Sequence, residues 1–174
     1  MSLLAEELVE EWLNRQGYFT IRGARIGVHE MDLLAIKPGR RGHDCRHIEV
    51  QASVRPIGYV SAVSKQDRKR TGRSAGNAAR RSPKELRASV SEWIAKKYDL
   101  PQKEQLRRAL CAGEWSRELV VNVIRHEDEI VELERQHIQV HRLNEILRNL
   151  ADAPHVLASA VSGDVLDLMT VLSL

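Results

Sequence analysis

The chain has 174 residues, 43% hydrophobic and 29% charged with a net charge of +3, which suits one soluble globular domain with room for a small subdomain. No stretch approaches the ~20 apolar residues of a membrane helix. Glu6, Glu7, Glu10 and Glu11 stand where a signal peptide carries positive charge, so a soluble, cytoplasmic protein with no membrane partner is expected. Aromatic content is only 4%, leaving the core to Leu, Val, Ile and Ala. Cys45 and Cys111 are far apart and form no CxxC pair, which argues against a zinc ribbon or a disulfide framework; neither is assigned any chemistry.

Residues 3–16 predict an amphipathic helix, with Leu4, Leu8, Trp12 and Leu13 at helical spacing and acids between them. Gly17 ends it as a C′ glycine. Residues 18–22 are a β-rich run, followed by the turn-prone Gly23 and Gly27. Residues 29–37 predict a strand: Met31, Leu33 and Ala35 alternate with Asp32, Leu34 and Ile36, so both faces are partly buried. Pro38-Gly39 punctuates it, and residues 40–44 form a polar hairpin connection. Residues 45–53 predict the next strand, with Ile48 and Val50 facing one way and Glu49 and Gln51 the other.

From Arg55 to Arg87, ten basic residues face only Asp67 and Glu85, a local charge of +8 that leaves −5 for the rest of the chain. Residues 55–82 lack apolar periodicity and predict a long loop or a partly disordered arm. Lys65, Arg68, Lys69, Arg70, Arg73, Arg80 and Arg81 are either an electrostatic footprint for a polyanion or a solvated loop. Ser82-Pro83 with Glu85 marks a helix start that runs to about Tyr98. Pro101 opens a further helix to Leu110. Residues 117–124 are a buried strand, 127–134 a short helix, 137–141 a strand carrying His137 and His141 on one face, and 143–150 a helix. The tail 156–174 is apolar and helix-like, broken by Gly163 with Asp164 as a cap. The expected organisation is a domain over 1–150, with 55–82 as a basic insertion, and a helical extension over 151–174. The element order is that of an α/β fold with a mixed β-sheet flanked by helices.

Asp32 sits inside an apolar strand, as does Glu49 on the following one. A buried acid costs several kcal/mol unless paired, hydrated or metal-bound. Two strands joined by a hairpin place both carboxylates on one face, roughly 5–8 Å apart at Cβ, and Gln51 shares that face. Converging carboxylates suit Mg²⁺ or Mn²⁺, with the Val50 carbonyl as a further hard ligand. Such an ion polarises a phosphoryl oxygen and activates water, and Gln51 would hold that water or a phosphate oxygen. Either acid alone reads as an exposed-edge residue paired with an arginine. Their joint spacing is what points to a site.

His29-Glu30-Met31-Asp32-Leu33-Leu34-Ala35, followed by Ile48-Glu49-Val50-Gln51, resembles the motif pair of the PD-(D/E)XK nuclease superfamily. It is most similar to the Holliday-junction-resolvase-like branch, whose pattern reads Gly-Glu-Ile-Asp-Leu-Ile-Ala and then Val-Glu-Val-Lys. The first helix fits the same pattern through Glu6, Val9, Leu13 and Gly17-Tyr18, with Glu10 one turn on as the competitor for Glu6. The resemblance covers roughly residues 3–53. It implies a restriction-endonuclease-like fold, a metal held by Glu6, Asp32, Glu49 and Val50, catalysis by Asp32, Glu49 and Gln51, and cleavage of DNA, branched or single-stranded included. A homodimer is the simplest arrangement for cutting two strands. The chain departs from the family at Gln51, where a lysine is usual. Two alternatives follow: a catalytically weak or inactive nuclease-fold module that binds nucleic acid, or a structural or regulatory interaction domain.

Overall fold

The structure is a computed structural model and describes residues 2–40, 42–53 and 55–152. Helix α1 (Ser2–Arg15) leads into a meander of β1 (Phe19–Ile26), β2 (His29–Gly39) and β3 (Gly42–Gln51). Three helices follow, α2 (Lys65–Thr71), α3 (Pro83–Lys97) and α4 (Pro101–Leu110), then β4 (Trp115–Val121), α5 (Asp128–Arg135), β5 (Gln139–Arg142) and α6 (Leu143–Asp152). The five strands lie in the order β1-β2-β3-β4-β5. The first three are antiparallel, and β4 and β5 run parallel to β3. This is an α/β fold, a mixed sheet flanked by helices.

Pleat alternation divides the core in two. Ala5, Leu8, Val9 and Leu13 of α1, with Ile146 and Leu150 of α6, pack over Leu33, Ala35, Ile48, Val50 and Val120. Leu86, Val90, Trp93 and Ile94 of α3, with Ile130 and Leu133 of α5, pack over Leu119 and Val121. Because successive side chains alternate, Asp32, His47, Glu49 and Gln51 point to the second face, away from α1.

Several expectations change at element ends. The connection placed over 40–44 is much shorter, because Gly39 pairs with Gly42 and the strands run almost to the tip. Pro38 is tolerated inside β2 because β1 pairs no further along than Ile36, so no strand awaits a Pro38 N–H on that side. The basic segment is not a free loop. Ser64 caps α2 by accepting from Asp67 N–H, and Gly72 closes it in the left-handed region at φ 71°. At α3, Ser82 and Glu85 form the full capping box behind Pro83. The last strand starts at Gln139, since His137 takes φ 64° in the turn before it, so His137 and His141 do not share a strand face. The proposed tail helix, 156–174, lies outside the described residues. Among the described residues no helix is long and apolar enough to cross a membrane.

Candidate functional site

The β2–β3 ladder has Leu33 opposite Ile48, so the next step along places Asp32 opposite Glu49 on one face. There the backbones part, and Val50 N–H donates to Asp32 Oδ2 at 2.8 Å. A side chain thus replaces a ladder bond, which fixes the carboxylate through Oδ2; among the described residues no hydrogen bond is made to Oδ1.

Glu49 is gripped from both sides. Lys97, at the end of α3, brings Nζ to 2.5 Å from Oε2. Lys103, on α4, brings Nζ to 3.2 Å from Oε1 and also donates to the Lys97 carbonyl at 2.9 Å. His47, two residues back on the same strand face, has Nε2 3.1 Å from Oε1. Its Nδ1 lies 2.8 Å from Arg107 Nη1. Arginine can only donate, so Nδ1 accepts and the proton sits on Nε2, directed at Glu49. Arg107, His47 and Glu49 therefore form a chain of hydrogen bonds whose members are all buried. Tyr98 packs edge-on against His47 at 4.7 Å and closes the chain from above.

The two acids are electrostatically unlike. Burial alone raises Glu49, but the His47 hydrogen bond and the Lys97 and Lys103 charges overcome it and hold its pKa at about 2. Asp32 is pushed up to about 6 by burial and then by the neighbouring Glu49 charge, against the Val50 N–H and Lys97. Burial lowers His47, in keeping with a neutral imidazole. Lys97 loses some basicity to burial but is raised overall by Glu49 and Asp32. Lys103, whose side chain is only 3% exposed, is lowered by burial.

Among the described residues no three His, Cys, Asp or Glu side chains converge to hold a metal. A divalent ion would rest on the Asp32 and Glu49 carboxylates with the Val50 carbonyl. That is enough for Mg²⁺, which is usually held by one or two carboxylates, water and substrate phosphate. The donor set fits in a second respect, because burial and then the Glu49 charge disfavour an ionised Asp32, and a cation offsets both. Glu6 does not complete a three-acid cluster. It sits on α1 and acts on Asp32 as a like charge, the smallest of the influences on that carboxyl. Its competitor Glu10 is engaged elsewhere, 3.6 Å from Arg22 and 3.0 Å from Thr20 Oγ1.

Gln51 shares the site face, and its Nε2 lies 3.4 Å from the Val60 carbonyl. It ties the site to the start of the basic segment. In that segment Lys65, Lys69, Arg70 and Arg80 are exposed, and Arg68 and Arg73 are half-buried. Arg70 bridges Asp67 at 3.1 Å and Glu85 at 2.7 Å, and Arg73 lies 3.7 Å from Glu85. Arg81 is the exception to an exposed basic face. It is buried, donates to Ser61 Oγ and O at 3.0 and 2.9 Å, and lies 3.9 Å from the centre of the Tyr59 ring. It anchors the loop instead of facing a ligand. Lys97, Lys103, His47 and Arg107 were missed in the sequence. Only the i−2 position of His47 relative to Glu49, on the same strand face, gave any signal.

No protein-family model matches the chain, and no curated protein is significantly similar to it. A solved structure titled "Crystal Structure of Protein of Unknown Function AF1548" aligns over 97% of this chain and 78% of that one, at 13% identity and a TM-score of 0.46. A likeness of that size carries no argument about activity.

Proposed function

We propose that the protein is a Mg²⁺- or Mn²⁺-dependent nuclease that hydrolyses DNA phosphodiester bonds, branched or single-stranded DNA included. The observation that carries this is the ammonium of Lys97 at the Asp32–Glu49 pair. The motif lysine absent at Gln51 has a counterpart arriving from α3. A bound divalent ion would polarise the scissile phosphate and acidify a water. The protein's own groups do the rest. Lys97, 32% exposed and kept charged by Glu49, reaches solvent and would bind a non-bridging phosphate oxygen. Asp32 Oδ1 would accept the proton of the attacking water. His47 and Lys103 hold Glu49 in place, and Gln51 would orient water. Lys65, Lys69, Arg70 and Arg80 would contact phosphates without reading sequence. A cytoplasmic location and a homodimer complete the proposal.

A second reading is a nuclease-fold module that binds nucleic acid without cutting it. It is favoured by one observation: both Glu49 oxygens already have cationic or imidazole partners. Gln51→Lys separates the two readings. An adapted site with Lys97 in the lysine's role loses cleavage when a second ammonium is forced in. A degenerate site gains it.

A further inference from the structure

Cys45 and Cys111, 66 residues apart in sequence, meet in the fold. Cys45 lies in β3. Cys111 follows the last turn of α4, where its N–H donates to the Arg107 carbonyl at 2.9 Å. The sulfurs are 3.0 Å apart, with the Cys45 thiol donating to Cys111. Both are free thiols, 2% and 8% exposed. Their cover is thin at one point. Gly113 is exposed, and a Cβ placed there would stand 3.5 Å from Cys45 Sγ and 3.7 Å from Cys111 Sγ. Gly113 also lines an open cleft with Arg107, Arg108, Trp115 and Arg117. The cleft thus approaches the sulfurs at a residue with no side chain.

We propose that Cys45 and Cys111 are a reversible oxidation site that forms an intramolecular disulfide with hydrogen peroxide. The Cys111 sulfur, the more exposed and the acceptor of the Cys45 proton, attacks one peroxide oxygen. An S–O bond forms, the O–O bond breaks, and water leaves with the thiol proton. The Cys45 sulfur then attacks the Cys111 sulfenic acid, the S–S bond forms, the S–O bond breaks, and a second water leaves. Two thiols lose two electrons and two protons, and one peroxide is reduced to two waters. Burial, together with the Cys111 contact, pushes the Cys45 pKa up to about 12, and the greater exposure of Cys111 sets that order of attack. The bond requires the sulfurs to close by about 1 Å.

The crosslink joins β3, which carries His47 and Glu49, to α4, which carries Lys103 and Arg107. Oxidation therefore fastens the helix that grips Glu49 onto the strand that bears it. The inference stands whether or not the protein cuts DNA.

The test uses the purified full chain with and without hydrogen peroxide. It reads intact mass, alkylation by N-ethylmaleimide after denaturation, and thermal melting, with Cys111→Ser as control. The expected result is a monomer lighter by two hydrogens, no alkylatable thiol, and full reversal by dithiothreitol. Tm should rise by roughly 5–10 °C in the native sequence alone. Thiols that stay alkylatable at unchanged mass, oxygen adducts on sulfur, crosslinked dimers or a lowered Tm would each overturn the proposal.

Discussion

Glu49 is held by two ammonium groups and an imidazole, whereas Asp32, across the ladder from it, has one backbone donor. The two acids should therefore shift stability in opposite directions. Asp32 has a folded pKa of about 6 against 3.8 unfolded, so the folded protein holds that proton more tightly. Its contribution is fully present below pH 3.8 and is lost as pH rises through about 6. At neutral pH it amounts to a deficit of about 2 kcal/mol after solvent screening. Glu49, lowered from 4.5 to about 2, contributes above pH 4.5 and loses that contribution as pH falls toward 2. Asp32→Asn should accordingly raise the urea-unfolding free energy by about 2 kcal/mol at pH 7 and flatten its fall between pH 4.5 and 6. The same variant should lose cleavage. An unchanged pH profile would mean that Asp32 is not the strained acid described here.

The two lysines should separate function from stability. Lys103 is 3% exposed, and Lys103→Met should destabilise by about 3 kcal/mol by removing a partner from a buried carboxylate. Lys97 is ten times more exposed, and Lys97→Met should cost about 1 kcal/mol or less in stability yet lower cleavage by about 10²-fold or more. Denaturation curves beside initial rates check both. Neither lysine could be singled out from the sequence. Each is one of many basic residues on an amphipathic helix, and their partner lies 48 and 54 residues away. Asp32 and Glu49 were legible because a carboxylate inside an apolar strand is conspicuous.

At the scale of elements, the basic segment shows where pattern reading stops. Its helix α2 has no apolar stripe, and it forms because Ser64, Asp67 and Gly72 cap a single pair of turns. The stretch before it is pinned by a carboxylate from α5. Glu129 is fully buried and accepts from Val60 N–H at 2.6 Å, Ser61 N–H at 2.9 Å and Ser61 Oγ at 2.5 Å. Those partners are 68 and 69 residues away, so no local signal could reveal them. Glu129→Ala leaves two buried N–H groups unsatisfied. It should destabilise by about 3 kcal/mol and raise amide exchange over residues 57–63, with Gln51 losing its Val60 contact. By contrast, the α3 capping box was readable from four adjacent residues, 82–85. A small effect of Glu129→Ala, below about 1 kcal/mol, would contradict the clamp.

For the whole molecule, charge is segregated more clearly than a net value of +3 suggests. The α/β class was legible from the order of helices and strands, two of them hairpin-joined and one a continuous apolar run, whereas the parallel run of β4 and β5 beside β3 was not. The division of the sheet into an α1/α6 face and an α3/α5 face was not, because pleat parity cannot assign a helix to a side. Glu6, on α1, acts on Asp32 as a like charge without completing a three-acid cluster among the described residues. If the exposed cations grip phosphates, DNA binding should weaken steeply with salt. Replacing both Lys69 and Arg80 by Ala should reduce the slope of log affinity against log salt by about 1.8, the loss of two phosphate contacts. A slope unchanged in fluorescence-anisotropy titrations would move the binding face elsewhere on the surface.

The most direct measurement is Mn²⁺-supported cleavage of supercoiled, single-stranded and branched DNA by the native protein, Asp32→Asn and Lys97→Met side by side. The native protein should cut at least one of these substrates, and both variants should fall by 10²-fold or more while remaining folded. Failure to cut any of the three, or cutting that survives both substitutions, would contradict a hydrolytic site built from Asp32, Glu49 and Lys97.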